Sequence, residues 1–217
     1  MNKTALIAGG TGLIGNHLLN LILKDDYYSS VKLLVRKKIE LSNPKLEQIE
    51  IDYDKILDYK NLLVANHVFC TLGTTIKKAG SQEAFKKVDY LYPLTLAEIT
   101  KKNNSEQFLI VTSMGANLSS KIFYNRVKGE VEKNIADLCF KCFHIFRPSL
   151  LLGVRNEART GEQFATLLSK VIAPFMKGKL LKYKPIEAEK VAKAMLHFVK
   201  KNMKGINLVE SDKLQKF

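Results

Sequence analysis

Thr4-Ala-Leu-Ile-Ala-Gly-Gly-Thr-Gly-Leu-Ile-Gly15 is an apolar, strand-forming run that breaks into glycines at 9, 12 and 15. Helically spaced apolar residues follow, with Leu13, Leu18, Leu19, Ile22 and Leu23 near one face. Strand, glycine turn and helix together bring backbone N–H groups and a helix N-terminus against a pyrophosphate. Gly9 allows the tight turn, Gly12 lets the phosphates approach the backbone, and Gly15 lets the helix pack on the strand. The spacing is GxxGxxG, not GxGxxG, so its weight rests on the position directly after a buried strand.

The remainder of the chain alternates strand and helix, which argues for a doubly wound parallel α/β sheet (a Rossmann fold) with helices on both faces and a small C-terminal substrate-side extension. After Ala5 to Ala8, strands are predicted over 31–35, 46–51, 66–70, 107–112 and 142–146, with a last short one at 205–209. Helices are predicted over 82–103, from Lys121 or Ile122 through Lys133, over 163–175 and over 187–201. Pro93 predicts a kink or break in the long helix. Lys77 to Gly80 reads as a loop. The 217 residues suit a single nucleotide-binding domain, 1–217, with 153–184 as its substrate-side loop and helix region.

Composition is that of a globular protein, 46% hydrophobic and 26% charged. No apolar run approaches the roughly 20 residues needed to span a bilayer. The first strand begins almost at Met1, which leaves no room for a signal peptide. Three unevenly placed cysteines give no disulfide framework, and with these features they lead us to expect a reduced, cytoplasmic compartment. The net charge is +14, and residues 155–217 carry 14 Lys/Arg against 6 Asp/Glu. A basic surface suits an anionic ligand, nucleic acid or membrane. The lysines are dispersed and no aromatic-basic stripe appears, so nucleic acid is disfavoured.

The second strand ends in Arg36-Lys37-Lys38 with no acid. About 20 residues past such glycines an acid holds a free ribose 2′-OH, whereas a base holds a 2′-phosphate. Arg36, with Lys37 beside it, is therefore the candidate clamp. Asp52 either meets an adenine amino group or caps the short helix after it, the commoner task for Asp. Thr71-Leu-Gly-Thr-Thr75 is a small-residue turn at the end of the fourth strand, where ligands sit in open α/β sheets. Tyr124-Asn-Arg-Val-Lys128 puts a phenol and an ammonium one helical turn apart, an arrangement that lowers a tyrosine pKa and makes Tyr124 a candidate acid/base. Ser113, ending the fifth strand, can hydrogen-bond the same substrate oxygen.

In that order, Gly9 to Gly15, Ser113 and Tyr124-xxx-Lys128 resemble the short-chain dehydrogenase/reductases. The closest likeness is to the atypical group related to the Tat-interacting protein. Phe146-Arg-Pro-Ser-Leu-Leu-Leu-Gly-Val-Arg-Asn-Glu-Ala-Arg-Thr-Gly-Glu162, Val111 to Asn117 and Lys128-Gly-Glu-Val-Glu132 strengthen that narrower likeness. The resemblance implies NADP(H), favoured over NAD(H), across the carboxyl edge of the sheet. Gly9, Gly12, Leu13, Ile14 and Gly15 would surround the pyrophosphate, and Arg36 with Lys37 the 2′-phosphate. Leu72, Gly73 and Thr74 would line the path to the nicotinamide, near which Pro148 packs. Lys128 would hold the ribose and tune Tyr124, the proton donor or acceptor, while Ser113 positions the carbonyl or alcohol substrate. The 11-residue Ser-to-Tyr gap is short beside many extended members and implies a small roof over the substrate.

His17, His67, His144 and His197 show no paired ligand spacing, so no metal is expected. Cys139-Phe-Lys-Cys142 leads into a strand, unlike a redox CxxC, and reads as packing and chance. Arg155, Glu157 and Arg159 either order a substrate loop or form a solvated turn. Phe164, Phe175, Met176 and Tyr183 line a pocket or, more commonly for such residues, pack a core. The competing functions are an NADPH-binding sensor or assembly protein, with a protein partner, and a nucleic-acid-associated protein.

Overall fold

The computed structural model describes residues 3–152, 176 and 178–217, with the side chain of 179 left out of account. The reading of 153–175, including the helix from 163, the charged trio and Phe164 and Phe175, lies outside the described residues.

Seven strands form one parallel sheet: β1 (Lys3–Ala8), β2 (Tyr28–Val35), β3 (Leu46–Glu50), β4 (His67–Cys70), β5 (Gln107–Val111), β6 (Cys142–Arg147) and, from the far end of the chain, β9 (Gly205–Glu210). Their order is β3-β2-β1-β4-β5-β6-β9. β7 (Leu151–Leu152) and β8 (Ile186–Glu187) form a separate parallel pair. The central strands β4 and β5 are buried at every position because helices cover both faces.

On one face lie α1 (Leu13–Leu23) and α6 (Ala188–Lys201), whose Leu18, Ile22, Val191 and Met195 pack on Ile7, Leu33, Phe69 and Leu109. On the other lie α4 (Tyr92–Lys102) and α5 (Phe123–Ala136), whose Leu96, Val131 and Ile135 pack on Leu6, Val68, Phe108 and Ile145. Odd and even strand positions thus serve different layers. The chain ends in the single-turn α7 (Ser211–Leu214).

Two stretches depart from expectation. Lys77 to Gly80 is not a loop: Ile76–Ala79 form the one-turn helix α2, because Thr75 Oγ1 caps Lys78 N–H and Gly80 leaves in the left-handed region at φ 87°. The long helix over 82–103 is three pieces: α3 (Gln82–Lys86), a π-turn over Lys87–Leu91, and α4. Pro93 has no N–H for an i→i−4 bond, and Tyr92 N–H reaches back five residues to Lys87 O.

At the amino end of the sheet a polar row is buried. Tyr28 Oη and His67 Nδ1 are 2.9 Å apart, His67 Nε2 lies 3.3 Å from Gln107 Nε2, and Gln107 Oε1 lies 3.3 Å from His144 Nε2. Gln107 also donates to Val199 O at 3.0 Å. Burial pushes both imidazoles down to about 4, so both are neutral at ordinary pH. Their spacing in the sequence hides a connection that only strand register creates.

Candidate functional site

The switch in strand order falls between β1 and β4, where the connections leave in opposite directions and a crevice opens at the carboxyl ends. The glycine turn sits there. Gly9 has φ +86°, and a Cβ on it would lie 2.7 Å from Thr71 C and 2.8 Å from Leu72 N, so the turn lies flat against the strand-end loop of β4. On Gly15 a Cβ would lie 2.1 Å from Gly9 O and 2.7 Å from Thr71 Oγ1. Helix and turn touch through that bare backbone. Gly12 differs: only Gly9 O, 3.1 Å away, stands within reach of a Cβ there, and the residue is exposed. α1 starts at this point with no side-chain cap and no acid in its first turn. Its leading N–H groups therefore have no side-chain acceptor among the described residues to compete with an anion. Leu13 is half-buried and Ile14 is in the core, so both offer backbone to the crevice.

Ser113 follows β5, the strand next to β4, and α5 covers that part of the sheet. Ser113 Oγ is buried and has no hydrogen-bond partner among the described residues. A buried hydroxyl without a partner is costly, which makes it a candidate for a substrate oxygen. Its loop is tied down on two sides. Met114 N–H donates to Pro148 O at 3.1 Å, joining it to the end of β6, and Asn117 N–H donates to Asn125 O at 3.0 Å, joining it to α5. The loop can lie on α5 because Gly129 has no Cβ, which would meet Asn117 C at 2.5 Å. Tyr124 is half-buried, its ring 5.2 Å from that of Phe85.

Lys128 is buried one turn on and is paired. Its Nζ lies 2.7 Å from Asp89 Oδ1, and the two side chains are 5% and 1% exposed. Asp89 Oδ2 accepts from Thr74 N–H at 2.8 Å. A Cβ on Gly73 would come within 3.4 Å of Asp89 Oδ1 and 3.9 Å of Lys128 Nζ, so the ion pair lies directly under the β4 loop. Burial works to lower the ammonium, but the carboxylate beside it outweighs that and holds Lys128 above its ordinary value. A second pair follows on the same helix stripe: Glu132 accepts from Arg147 and from Thr112 Oγ1, locking α5 to β5 and β6.

Gly9, Leu72, Gly73, Thr74 and Lys128 are thus brought into one crevice wall. Arg36 and Lys37 stand exposed at the end of β2, with the Arg36 guanidinium acting electrostatically on Tyr53 and Tyr92, whose rings stack 5.2 Å apart. Asp52 caps the following 3-10 helix (Tyr53–Tyr59) by accepting from Asp54 N–H, and Asp54 is engaged by Lys87 and Tyr92. Cys142 Sγ donates to Asn202 Oδ1 at 3.3 Å and is buried, whereas Cys139 is exposed, so packing accounts for Cys142 alone.

Asp89 was not among the residues the sequence singled out. One signal was available: it falls on the apolar stripe Phe85, Tyr92, Leu96, where a carboxylate needs a partner. Among the described residues no three His, Cys, Asp or Glu come together as metal ligands, and no helix is long and apolar enough to cross a membrane.

A family model described as HIM1 matches residues 31–183. The chain is 38% identical to Protein HTATIP2 of Rattus norvegicus over 168 residues, covering 76% of this chain and 69% of that protein. It is 34% identical to Protein FMP52, mitochondrial, of Candida albicans over 209 residues, covering 93% and 90%. Among solved structures it is similar in fold to the Bordetella bronchiseptica enzyme WbmH in complex with NAD+, at TM-score 0.74 and 17% identity, over 97% of this chain and 76% of that one. The expectation of a cytoplasmic compartment is corrected by these relatives, since the fungal one is named as mitochondrial. Free thiols and the lack of an apolar span describe chemistry that a reducing organelle interior accepts equally well; neither is an address.

Proposed function

This chain belongs to the HIM1 family and is an atypical short-chain dehydrogenase/reductase of the HTATIP2 type; on that premise we propose that it is an NADP(H)-dependent oxidoreductase acting on a small carbonyl or alcohol. The observation that carries the proposal is the buried Ser113 Oγ, which has no hydrogen-bond partner among the described residues, on a chain whose α1 N-terminus behind Gly12 carries no side-chain cap.

The residues present fit a dinucleotide. Gly12 and the first turn of α1 would take the pyrophosphate with backbone N–H groups, where any side chain would intrude. Arg36, with Lys37 beside it, would take a 2′-phosphate, since neither is committed to a carboxylate partner among the described residues. Leu72, Gly73 and Thr74 would form the wall toward the reactive end, with Pro148 closing it. The nicotinamide, when bound, supplies or takes up the hydride.

The chain's own residues do the rest. Ser113 Oγ donates a hydrogen bond to the substrate oxygen and holds it. Tyr124 Oη gives that oxygen its proton in reduction and takes it back in oxidation. Lys128 keeps a positive charge near the phenol and offers donors to a ribose, with Asp89 fixing where the ammonium stands. The loop from Met114, held between Pro148 and α5, keeps the serine and tyrosine at a fixed separation.

The test is a titration of the purified protein with NADPH and NADH, alongside Arg36→Ala. Tight NADPH binding, weaker NADH binding and loss of the preference in the variant support the reading. Failure of both nucleotides to bind would remove it.

A further inference from the structure

Val111, Phe146 and Val209 stand in register across β5, β6 and β9. Ser113 follows Val111 and Asp212 follows Val209, so both lie at the carboxyl end of the sheet. Neighbouring strands are about 4.8 Å apart, which puts these two corners about 10 Å from one another. The second corner is tied down. Ser211 Oγ donates to Ser149 Oγ at 3.0 Å, and Gln215 Nε2 donates to Lys184 O at 2.9 Å. These bonds hold α7 to the chain after β6 and to the residue that follows a 3-10 helix, Gly178–Tyr183.

Between that 3-10 helix and the end of β9 lies a cleft of about 380 Å³ lined by Gly178, Leu180, Lys182, Tyr183, Glu210 and Asp212. Its acids outnumber its base, in a chain whose net charge is +14. Asp212 is half-buried, and its Oδ1 is buried with no hydrogen-bond partner among the described residues. Glu210 is exposed and feels the charge of Arg147, a guanidinium already paired with Glu132. Lys182, the base of the lining, lies over the Tyr183 ring, with Nζ 4.9 Å from its centroid. A carboxylate oxygen that gives up water without gaining a donor is costly, and a cation entering the cleft offsets that cost. The Tyr183 ring adds a surface that cations favour.

We propose that this cleft is a cation subsite, in which Asp212, helped by Glu210 and the Tyr183 ring, seats the positively charged far end of a substrate whose carbonyl or alcohol is held at Ser113. The carbonyl end rests on the oxidoreductase reading above; the cation end stands on the cleft itself. The separation of the two corners sets the length of the substrate. An extended chain advances about 1.2 Å per bond, so roughly eight bonds lie between the carbonyl carbon and the cation. The two acids repel a substrate that ends in a carboxylate, which makes the cleft selective as well as attractive.

The test has two arms. In the first, hexyltrimethylammonium, which carries the cation and no carbonyl, is titrated into the full-length protein by calorimetry. The expected result is saturable binding that Asp212→Asn weakens by roughly tenfold or more and Glu210→Gln weakens less. Lys182→Gln should strengthen it, because a like charge is removed. Opposite signs from two substitutions in one cleft cannot come from a general loss of fold. In the second arm, NADPH is supplied with three methyl ketones of this length, ending in trimethylammonium, tert-butyl or carboxylate. The ammonium ketone should exceed its tert-butyl isostere in kcat/KM by roughly tenfold, and Asp212→Asn should abolish the advantage through KM. Absence of probe binding, or binding that is unchanged in both Asp212→Asn and Lys182→Gln, would overturn the proposal. So would displacement of the probe by an equal concentration of magnesium, which would make the cleft a metal site. Reduction of the three ketones with equal efficiency would remove the subsite and leave the oxidoreductase reading standing. Failure of NADPH to bind, with the Asp212-dependent probe binding intact, would remove that reading and keep the cation site.

Discussion

The Lys128 ammonium is held 2.7 Å from the Asp89 carboxylate, with both side chains almost wholly buried. The cation expected to act on Tyr124 is therefore already balanced by a partner from a different element, and that partner also accepts from Thr74 N–H in the β4 loop. One carboxylate couples the loop that would face a nucleotide to the helix that carries the tyrosine.

Asp89→Asn keeps an oxygen for Thr74 but leaves Lys128 buried without a counter-charge. Breaking a buried pair from one side costs about 3–5 kcal/mol, and urea denaturation of the variant should show a loss of that order. Asp89→Leu with Lys128→Met removes both charges and should cost less than the sum of the two single changes. A loss below about 1 kcal/mol in Asp89→Asn would mean that the pair is not the lock described.

Gly12→Ala and Gly15→Ala should separate binding from folding. The first adds a methyl that meets only Gly9 O, at 3.1 Å. Its melting temperature should stay near that of the wild type while NADPH affinity falls by about tenfold or more, the equivalent of 1.4 kcal/mol. The second drives a methyl to 2.1 Å from backbone and should destabilise the fold by roughly 1–3 kcal/mol or more. Equal effects of the two on stability would argue against an open cradle at Gly12.

Tyr124→Phe should retain nucleotide binding and lose turnover by about 10²–10⁴-fold once a substrate is found, the usual worth of a positioned proton donor. Ser113→Ala should share the pattern. Full cellular function in Tyr124→Phe would instead favour the NADPH-sensing alternative.

Stability should decline as pH falls from about 6.5 toward about 4. His67 and His144 titrate near 4 in the fold and near 6.5 in the unfolded chain. The unfolded state thus binds more protons in that window, and stability is complete above it. Each imidazole contributes on the order of 2–3 kcal/mol that is lost on acidification. Urea midpoints at pH 7, 6, 5 and 4.5 measure the slope, and His144→Gln should flatten it. Tyr28→Phe should cost about 1–3 kcal/mol at neutral pH by orphaning His67 Nδ1.

The sheet was legible because buried parallel strands are continuous apolar runs and because Gly9, Gly12 and Gly15 punctuate the first crossover. Ser113, Tyr124 and Lys128 were singled out by their order along the chain, and their roles belong to the proposal. Asp89 was not singled out: the apolar stripe Phe85, Tyr92, Leu96 marks it as facing inward, but no local spacing names Lys128 and Thr74 as its partners. Glu132 with Arg147, and His67 with His144 through Gln107, also escaped: strand register and helix placement bring them together, and no local spacing encodes either. The compartment escaped for a different reason, since thiol count and hydropathy describe stability and not address.

A π-turn is a helix carrying one residue more than its hydrogen-bond pattern needs. Between Lys87 and Tyr92 that surplus residue sets the angular offset between Phe85, on α3, and Leu96, on α4. Deleting any one residue there would let an ordinary helix form and would swing everything upstream by about 100° relative to α4. Apart from Asp89, substitutions in this stretch can be absorbed by their neighbours, whereas a change of length cannot. In this family the segment should therefore keep its residue count and the carboxylate at Asp89 while the rest of it drifts in composition.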